Sequence, residues 1–260
     1  MTHLLVIDPQ LDFVSPTGAL SVPGADADMD RLAAWLDAHR TEIDAITVTL
    51  DAHHVLDISH PGWWRDPGGA SPAPFTVITV GDVERGTWTP TDAAARERSL
   101  GYLRALAATG RYPHVVWPEH CLIGDPGATV WPALSAAIHR WERATGRSAG
   151  FVTKGTNRWT EHFSAIRAEV PDPTDPGTAV ATGLVAALDA ADRIVVAGEA
   201  RSHCVANTVR DLADAFGDPA SVRKVVLLGD ATSDVPGFAG YGDAFVRELG
   251  ARGMTIGSTA

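Results

Sequence analysis

The chain has 260 residues, of which 45% are hydrophobic, and it carries 32 acidic against 21 basic residues, a formal net charge of −11. This length and apolar content suit one α/β domain better than two, so we predict a single domain over residues 1–260. The acidic residues are scattered, which leaves no basic surface for nucleic acid or an anionic membrane. We therefore expect a small-molecule partner, with no nucleic acid and no membrane.

The first residues and the cysteine count bear on the cellular compartment. Met1 is followed almost directly by the apolar stretch Leu4 to Ile7, without the basic segment and cleavage site of a signal peptide. No stretch approaches the ~20 apolar residues of a membrane span, so we expect a cytoplasmic protein. Two cysteines, Cys121 and Cys204, are too few for a disulfide framework, which leaves packing, metal binding or catalysis as their roles.

Short apolar runs alternate with helical patterns along the chain. The runs that predict buried parallel strands are residues 3–8, 45–51, 114–118, 150–154, 193–198 and 224–230. The helical patterns between them cover residues 27–40, 91–109, 128–147, 178–191, 203–216 and 240–251. This alternation predicts a doubly wound α/β fold, whose ligands bind beyond the carboxyl ends of the strands.

Residues 55–90 interrupt the alternation with a stretch rich in Pro, Gly and Trp. A connection this long is usually functional, so we interpret it as an insertion or lid, with a small packed excursion as the alternative. Trp88 in this segment and Phe13 after the first strand are candidate walls of a substrate site, because ligand pockets are mostly apolar. The same aromatic side chains also suit a hydrophobic core.

Reactive residue types follow five of the predicted strands. They are Asp8 after the first strand, Asp51 and His53 after the second, His120 beyond the third, Lys154 at the end of the fourth and Cys204 in the turn after the fifth. Taken singly, an Asp after a strand is most often a helix cap or turn residue. The predicted fold brings these strand ends to one edge of the sheet. We therefore interpret the acid, the imidazoles, the amine and the thiol together as a functional site.

Lys154 is one of only two lysines in a chain that otherwise uses arginine. Lysine at this position therefore indicates that a compact ammonium group is required there, which arginine does not offer. Cys204 requires a base, since only the thiolate attacks well. Asp8 is a candidate for that base, with Lys154 offsetting its charge, and the helix that begins near His203 adds its positive end to the thiolate.

Five stretches together resemble the successive motifs of the isochorismatase-like cysteine hydrolases, most closely the nicotinamidase/pyrazinamidase branch. They are VIDPQLDF (6–13), TLDAHH (49–54), WPEHCLIGDPGA (117–128), TKGTN (153–157) and VAGEARSHCVANTVRDL (196–212). The resemblance implies a three-layer α/β/α sandwich around a six-stranded, mainly parallel sheet. It also implies a homo-oligomer.

The resemblance implies a catalytic triad, which falls on Asp8, Lys154 and Cys204. It also implies an oxyanion hole made by the backbone N–H groups of Ala200 and Cys204, and a cis peptide bond between Glu199 and Ala200. The activity implied is hydrolysis of a small carboxamide, nicotinamide or a related amide, to the acid and ammonia through a thioester on Cys204. No organic cofactor is expected.

A divalent metal ion is implied as well, with Asp51, His53 and His120 as its ligands. Two imidazoles and a carboxylate suit zinc, with iron or manganese as alternatives. The sequence leaves a fourth ligand open between Asp57 and His60.

Other functions stay open at this point. Hydrolases of N-carbamoyl, ureido, biuret or maleamate-type amides use the same triad, and isochorismatases share the fold. Residues 55–90 and 121–150 exceed what a compact nicotinamidase needs, so the substrate is either larger than nicotinamide or different from it. A non-catalytic metal-binding or interaction module is the alternative from another class, and the three filled triad positions argue against it. A dinucleotide-binding oxidoreductase is disfavoured because no glycine-rich turn follows the first strand.

Overall fold

The computed structural model describes residues 1–260 and is built around a sheet of six parallel strands. The strands are β1 Thr2–Ile7, β2 Ala45–Asp51, β3 Trp64–Arg65, β4 Thr89–Pro90, β5 Gly150–Lys154, β6 Arg193–Gly198, β7 Val225–Leu228 and β8 Thr255–Gly257. The central sheet has the order β5-β2-β1-β6-β7-β8, with every neighbouring pair parallel, whereas β3 and β4 form a separate antiparallel pair. The predicted six-stranded parallel sheet is confirmed.

Helices cover both faces of this sheet. They are α1 Leu11–Val14, α2 Ala25–His39, α3 Val80–Arg85, α4 Arg96–Thr109, α5 Pro132–Thr145, α6 Thr182–Asp189, α7 Ala206–Ala215 and α8 Ala239–Arg252. Helix α2 packs on α5, and α7 contacts α8. Because crossovers between parallel strands are right-handed, these two pairs flank opposite faces, which gives the predicted α/β/α sandwich. None of the helices is both long and apolar enough to cross a membrane.

The two central strands of the sheet explain why the apolar runs in the sequence are nearly continuous. In β1 the side chains of residues 4–7 are fully buried, and the same holds for residues 194–197 in β6. Successive side chains in a strand point to opposite faces, so burial of every residue requires helices on both sides. Each of these large apolar side chains contributes about 1.5–3 kcal/mol to folding.

The prediction of a sheet strand at residues 114–118 is wrong. This segment runs antiparallel to residues 75–78, with the Val116 N–H donating to Thr76 O and the Ile78 N–H donating to His114 O. It lies between two hydrophobic clusters, and this position buries it on both sides like a central strand. The sixth strand of the sheet is instead β8, a short edge strand that carries Ile256 exposed and shows no apolar run.

Residues 55–90 form a packed excursion with a hydrophobic cluster of its own. Trp63, Trp64 and Ile78 are buried there against Leu103 and its neighbours on α4. The Trp64 indole N–H donates a hydrogen bond to Ile58 O at 2.7 Å, so its polar group has a partner although the ring is buried. The structure therefore has the packed arrangement that the sequence left as an alternative, and a lid function stays a prediction.

Candidate active site

The carboxyl ends of the central strands bring the predicted site residues to one rim. Asp8 follows β1 directly, while Asp51 ends β2 and is paired in register with Lys154 at the end of β5. After β6 the chain enters a single π-helical turn, Arg201–Val205, which leads into α7 and carries Cys204. This is the crevice beside the point where the strand order reverses, the usual ligand site of a doubly wound fold.

Lys154 holds the predicted triad together. Its Nζ lies 2.9 Å from Asp8 Oδ2 and 3.7 Å from Cys204 Sγ. The same ammonium lies 3.2 Å from Asp51 Oδ1 and donates to the backbone oxygen of His162 at 2.9 Å. Asp8 and Asp51 each place a carboxylate oxygen within 4.8 Å of the sulfur. Asp8, Lys154 and Cys204, which are far apart in the sequence, therefore lie together in one buried cluster.

Thr49 fixes Asp8 and was not identified from the sequence. The Thr49 hydroxyl donates to Asp8 Oδ1 at 2.5 Å and accepts the Asp8 backbone N–H at 3.0 Å. Asp8 has a φ of 42°, in the left-handed region that side chains other than glycine rarely adopt. A threonine two residues before the end of β2 is the only signal in the sequence, and β-branched residues are common at such positions.

Burial and charge shift the pKa of each triad member. Burial raises the pKa of Asp8, against the opposing effect of the Lys154 ammonium. Burial likewise raises the pKa of the Cys204 thiol well above its usual value, and Asp8 and Asp51 add to this effect. Burial alone lowers the pKa of Lys154, but the two carboxylates outweigh it and keep the ammonium charged. The resting cluster thus holds a neutral thiol, with the Asp8 carboxyl group next to the charged Lys154.

The turn that carries Cys204 also carries the expected oxyanion donors. The peptide bond between Glu199 and Ala200 is cis, as the resemblance implied. Ala200 lines the same cavity as Cys204, and its backbone N–H makes no hydrogen bond within the protein. This amide is therefore available to a ligand oxygen bound next to the sulfur.

A second group of side chains beside the triad forms a possible metal site. Asp51, His53 and His120 each offer a ligand atom, and these atoms lie within 4.8 Å of one another. The carboxylate Oδ2 of Asp51 lies 3.1 Å from His53 Nε2 and 3.7 Å from His120 Nε2. All three are buried. Gly155 permits this packing, since a Cβ there would lie 2.6 Å from Asp51 Oδ1.

His60 lies beside these three residues and is a candidate fourth metal ligand. Asp57 instead contacts His53 on the side of its ring that faces away from them. The His60 ring centroid lies 5.0 Å from that of His53 and 5.4 Å from that of His120. Asp57 instead faces the far nitrogen of His53, Nδ1, at 3.2 Å, and accepts two hydrogen bonds from Ser59. Of the two alternatives left by the sequence, His60 is therefore placed to act as a ligand and Asp57 as a partner of a ligand.

The proton positions on these imidazoles fit a metal ion. Nδ1 of His53 faces Asp57, Nδ1 of His60 faces a backbone oxygen at 3.2 Å, and Nδ1 of His120 faces another at 2.8 Å. Since these partners only accept hydrogen bonds, each ring is able to donate through Nδ1 and to present the lone pair of Nε2 to a cation. The Nε2 atoms of His53 and His60 are buried and make no hydrogen bond. Buried lone pairs without donors suit a bound cation.

The cavity above Cys204 is mostly apolar. It contains about 360 Å³ of space, including open solvent at its mouth. Its lining residues are Phe13, Leu20, Asp51, Trp117, His120, Glu161, Phe163, Ala200, His203, Cys204 and Val235. Phe13 is thus placed where the sequence suggested. Trp88 does not line this cavity: it packs against the cluster of the 55–90 excursion, and its role in substrate binding stays a prediction.

Two polar residues of the cavity wall, Glu161 and His203, were missed by sequence reasoning. The His203 ring is buried among aromatic rings, with Phe238 at 4.8 Å and Tyr112 at 5.0 Å between centroids. Burial lowers the pKa of His203 to about 3, so its imidazole is neutral. Glu161 lies in an irregular stretch after β5, where no periodic pattern marks a position as facing the site.

Comparison with solved structures places the fold among known ones. A nicotinamidase/pyrazinamidase from Acinetobacter baumanii matches 99% of this chain and 96% of its own, with a TM-score of 0.64 and 20% identity. The yeast nicotinamidase, bound to the inhibitor nicotinaldehyde, matches 99% of this chain over 100% of its own length at a TM-score of 0.66 and 18% identity. The chain has the nicotinamidase fold.

Other comparisons define how far this likeness reaches. The pyrazinamidase of Pyrococcus horikoshii, solved in complex with zinc, has the same fold. The match covers 99% of this chain and 98% of that chain, at a TM-score of 0.58 and 21% identity. No protein-family model matches the sequence, and no curated protein does. The structural likeness therefore extends over the whole chain while the identity stays near one residue in five.

Proposed function

We propose that this protein is a cysteine amidohydrolase that hydrolyses nicotinamide or a related small carboxamide to the acid and ammonia. The observation that carries this proposal is the contact of one ammonium, Lys154 Nζ, with both a carboxylate and a thiol at the bottom of an apolar cavity. The nicotinamidase fold and the available Ala200 amide in the same cavity support it.

The first half of the reaction forms a thioester. Asp8 takes the proton of Cys204, and the sulfur adds to the amide carbon. The resulting oxyanion accepts hydrogen bonds from the N–H groups of Ala200 and Cys204, each contributing about 3 kcal/mol to the transition state. The protonated Asp8 then gives its proton to the amide nitrogen, which leaves as ammonia. Lys154 stays charged throughout and stabilises whichever of the carboxylate and the thiolate is negative.

The second half releases the acid. Asp8 removes a proton from water, the hydroxide adds to the thioester carbon, and the carbon–sulfur bond breaks. The thiolate takes the proton back from Asp8, which restores the starting state. Asp8 and Cys204 exchange this proton over a short distance, because the carboxylate oxygen of Asp8 lies within 4.8 Å of the sulfur and both groups contact Lys154.

We further propose that Asp51, His53, His60 and His120 hold a divalent cation, with zinc as the first choice and iron or manganese as alternatives. Three imidazoles, two of them with buried Nε2 atoms that make no hydrogen bond, and one carboxylate match the ligands that these ions prefer. Such an ion supplies a Lewis acid at the cavity wall. Asp57 would orient His53 through its Nδ1 proton.

Ammonia release is the assay that tests the proposed function. Purified protein is incubated with nicotinamide, pyrazinamide and a panel of N-carbamoyl and ureido compounds, with Cys204→Ala and Cys121→Ala as the paired variants. We expect turnover of at least one carboxamide, a loss of about 10⁴-fold or more in Cys204→Ala, and activity in Cys121→Ala, since the buried Cys121 does not line the cavity. Equal ammonia release by wild type and Cys204→Ala would rule the proposal out.

Metal content tests the proposed cation site separately from activity. Metal analysis of the purified wild-type protein should find about one divalent ion per chain. His60→Ala and Asp57→Asn should each bind the ion about 10- to 100-fold more weakly in a competition with a chelator. An affinity unchanged by His60→Ala would exclude His60 as a ligand.

We also expect a homo-oligomer in the cytoplasm, as the resemblance implies. Sedimentation equilibrium measures the first expectation directly, and a monomer at micromolar concentration would contradict it.

A further inference from the structure

Glu161 is a buried acid in the wall of the cavity and has no role in the proposed reaction. Its Oε2 accepts a hydrogen bond from the Trp117 indole at 3.2 Å. Its Oε1 makes no hydrogen bond within the protein but is not cut off from the cavity, which Glu161 lines, and no lysine, arginine or histidine nitrogen lies within 4.0 Å of the carboxyl group. One half of this carboxyl group is therefore unpartnered while the side chain is only 5% exposed.

A buried acid of this kind is costly unless something binds it. Moving a carboxylate out of water without a partner costs several kcal/mol, and a single indole N–H offsets only a part of that cost. The fold uses only one oxygen of this carboxyl group, since Oε2 accepts the buried Trp117 indole N–H and nothing in the protein donates to Oε1. A ligand bound in the cavity would supply the donor that Oε1 lacks.

The rest of the cavity wall favours a donor over an acceptor. Aromatic faces attract cations and polarised N–H groups, and three aromatic side chains, Phe13, Trp117 and Phe163, line the cavity together with Glu161. The chain also has a net charge of −11, which favours cationic over anionic ligands.

We propose that Glu161 determines substrate specificity, by accepting a hydrogen bond from an N–H donor that the substrate carries in addition to its scissile amide. Among the small carboxamides proposed above, the preferred substrates are thus those that carry an amino substituent or a cationic group. This inference rests on the proposed amide hydrolysis, because it places the substrate in the cavity above Cys204.

The ionisation of Glu161 agrees with this assignment. Burial raises the pKa of its carboxyl group to about 8, against the opposing effect of His53 and Lys154, while Asp57 and Asp51 add to the increase. A substrate N–H or ammonium group at Oε1 favours the charged form. Binding of such a substrate therefore converts a neutral buried acid into one partner of a charge-assisted hydrogen bond.

Matched substrates test the proposal. The probes are nicotinamides that carry either an amino or a methyl group at the same ring carbon, compared at each free carbon, since the two groups are similar in size. In the wild-type enzyme we expect at least one position at which kcat/KM is about 10-fold or more higher for the amino compound, as for a hydrogen bond to a charged group. Glu161→Met should abolish this preference and Glu161→Gln should reduce it.

Glu169→Gln is the control variant. Glu169 is a buried acid as well, and burial raises its pKa to about 7, but it does not line the cavity. The amino preference should persist in Glu169→Gln. If Glu161→Met does not fold, Glu161→Gln alone decides the question. A wild-type enzyme without any amino preference, or one whose preference survives in the Glu161 variants, overturns the proposal.

The two proposals fail in different ways. Turnover of nicotinamide without an amino preference leaves the amidohydrolase proposal standing and removes the role of Glu161. If no amide releases ammonia, the amidohydrolase proposal fails, and calorimetric binding of the same amino and methyl pairs then decides the specificity proposal. Tighter binding of the amino compound that is lost in Glu161→Gln supports it, and equal binding contradicts it.

Discussion

The ionisation of Asp8 depends on the Lys154 ammonium and on one neighbouring hydroxyl. Thr49 Oγ1 donates to one carboxylate oxygen of Asp8, while Lys154 lies against the other. Both contacts favour the charged carboxylate and lower its pKa, against the effect of burial. Since Asp8 acts as a base only when charged, Thr49 extends the working range of the enzyme towards acid pH.

Thr49→Val should move the acid limb of the pH–rate profile. Valine keeps the shape of threonine and removes the hydroxyl, so the pKa of Asp8 rises further and the rate falls off at a higher pH than in the wild type. We expect kcat/KM at pH 7 to fall about 10- to 100-fold, the effect of one charge-assisted hydrogen bond. The measurement is kcat/KM for the preferred amide between pH 5 and 9.

Thr47→Val is the matched control for this substitution. Thr47 lies on the same face of β2, two residues earlier, and its hydroxyl bonds to His3 at 2.8 Å, away from the site. Its profile should keep the wild-type acid limb. A Thr49→Val profile that superimposes on that of Thr47→Val would show that the hydroxyl does not set the ionisation of Asp8.

Sequence reasoning finds residues whose chemistry is unusual, and it misses residues whose role is positional. Asp8, Lys154 and Cys204 stand out because acids, lysines and thiols at strand ends are few in this chain. Thr49 and Glu161 belong to residue types that are common on strands and in loops. Their roles follow only from the direction in which the backbone points each side chain, which no local pattern records.

At the scale of elements, the buried Trp64 ring is central to the packing of the excursion at residues 55–90. Trp64 is fully buried and links the first part of the excursion to Ile58 through its indole hydrogen bond. The cluster around it also covers one side of the extended segment that carries Val116, two residues before the loop that leads to His120. Packing of the excursion is thus coupled to the position of one candidate metal ligand.

Trp64→Ala should destabilise the protein by about 3–5 kcal/mol, because it removes a buried aromatic side chain and leaves a cavity. The free energy of unfolding in urea measures this effect. Phe151→Thr is the control: Phe151 is 54% exposed on β5, and threonine keeps the strand propensity. A change below about 1 kcal/mol is expected there. Equal stability of Trp64→Ala and wild type would contradict the packing described here.

Elements are predictable from sequence where burial is periodic or complete. The strands β1, β2 and β6 lie close to their predicted bounds because helices cover both of their faces. The edge strand β5 also lies close to its predicted bounds, although Phe151 on it is exposed. Residues 114–118 carry the same apolar signal, but two different clusters bury them rather than two helical layers. The edge strand β8 has three residues and no buried apolar side chain, so it gives no signal at all.

At the scale of the whole molecule, stability depends on pH through buried neutral histidines. Burial lowers the pKa of His114 to about 4, and that of His162 to about 4 as well. In the unfolded chain a histidine has a pKa of about 6.5 and binds a proton below it. The unfolded state therefore binds more protons between pH 6.5 and 4, and the stability of the folded protein falls as the pH falls through this range.

His114→Gln isolates one of these groups. Wild type loses stability between pH 7 and 5 partly because unfolding lets His114 take up a proton, and glutamine removes that contribution. The stability difference between wild type and variant should be about 2 kcal/mol smaller at pH 5 than at pH 7. Urea unfolding at both pH values measures it, with His139→Gln on the exposed face of α5 as the control. A pH-independent difference would show that His114 does not remain neutral.

The fold as a whole places an acid, an amine and a thiol from β1, β5 and the turn after β6 in one crevice, and the account depends on their acting together. Mass spectrometry of the intact protein, quenched in acid during turnover of nicotinamide, tests this most directly. We predict a fraction of wild-type chains heavier by one nicotinoyl group attached to Cys204, and none in Cys204→Ala. Steady ammonia release with no adduct on Cys204, and the same rate in Cys204→Ala, would contradict the account.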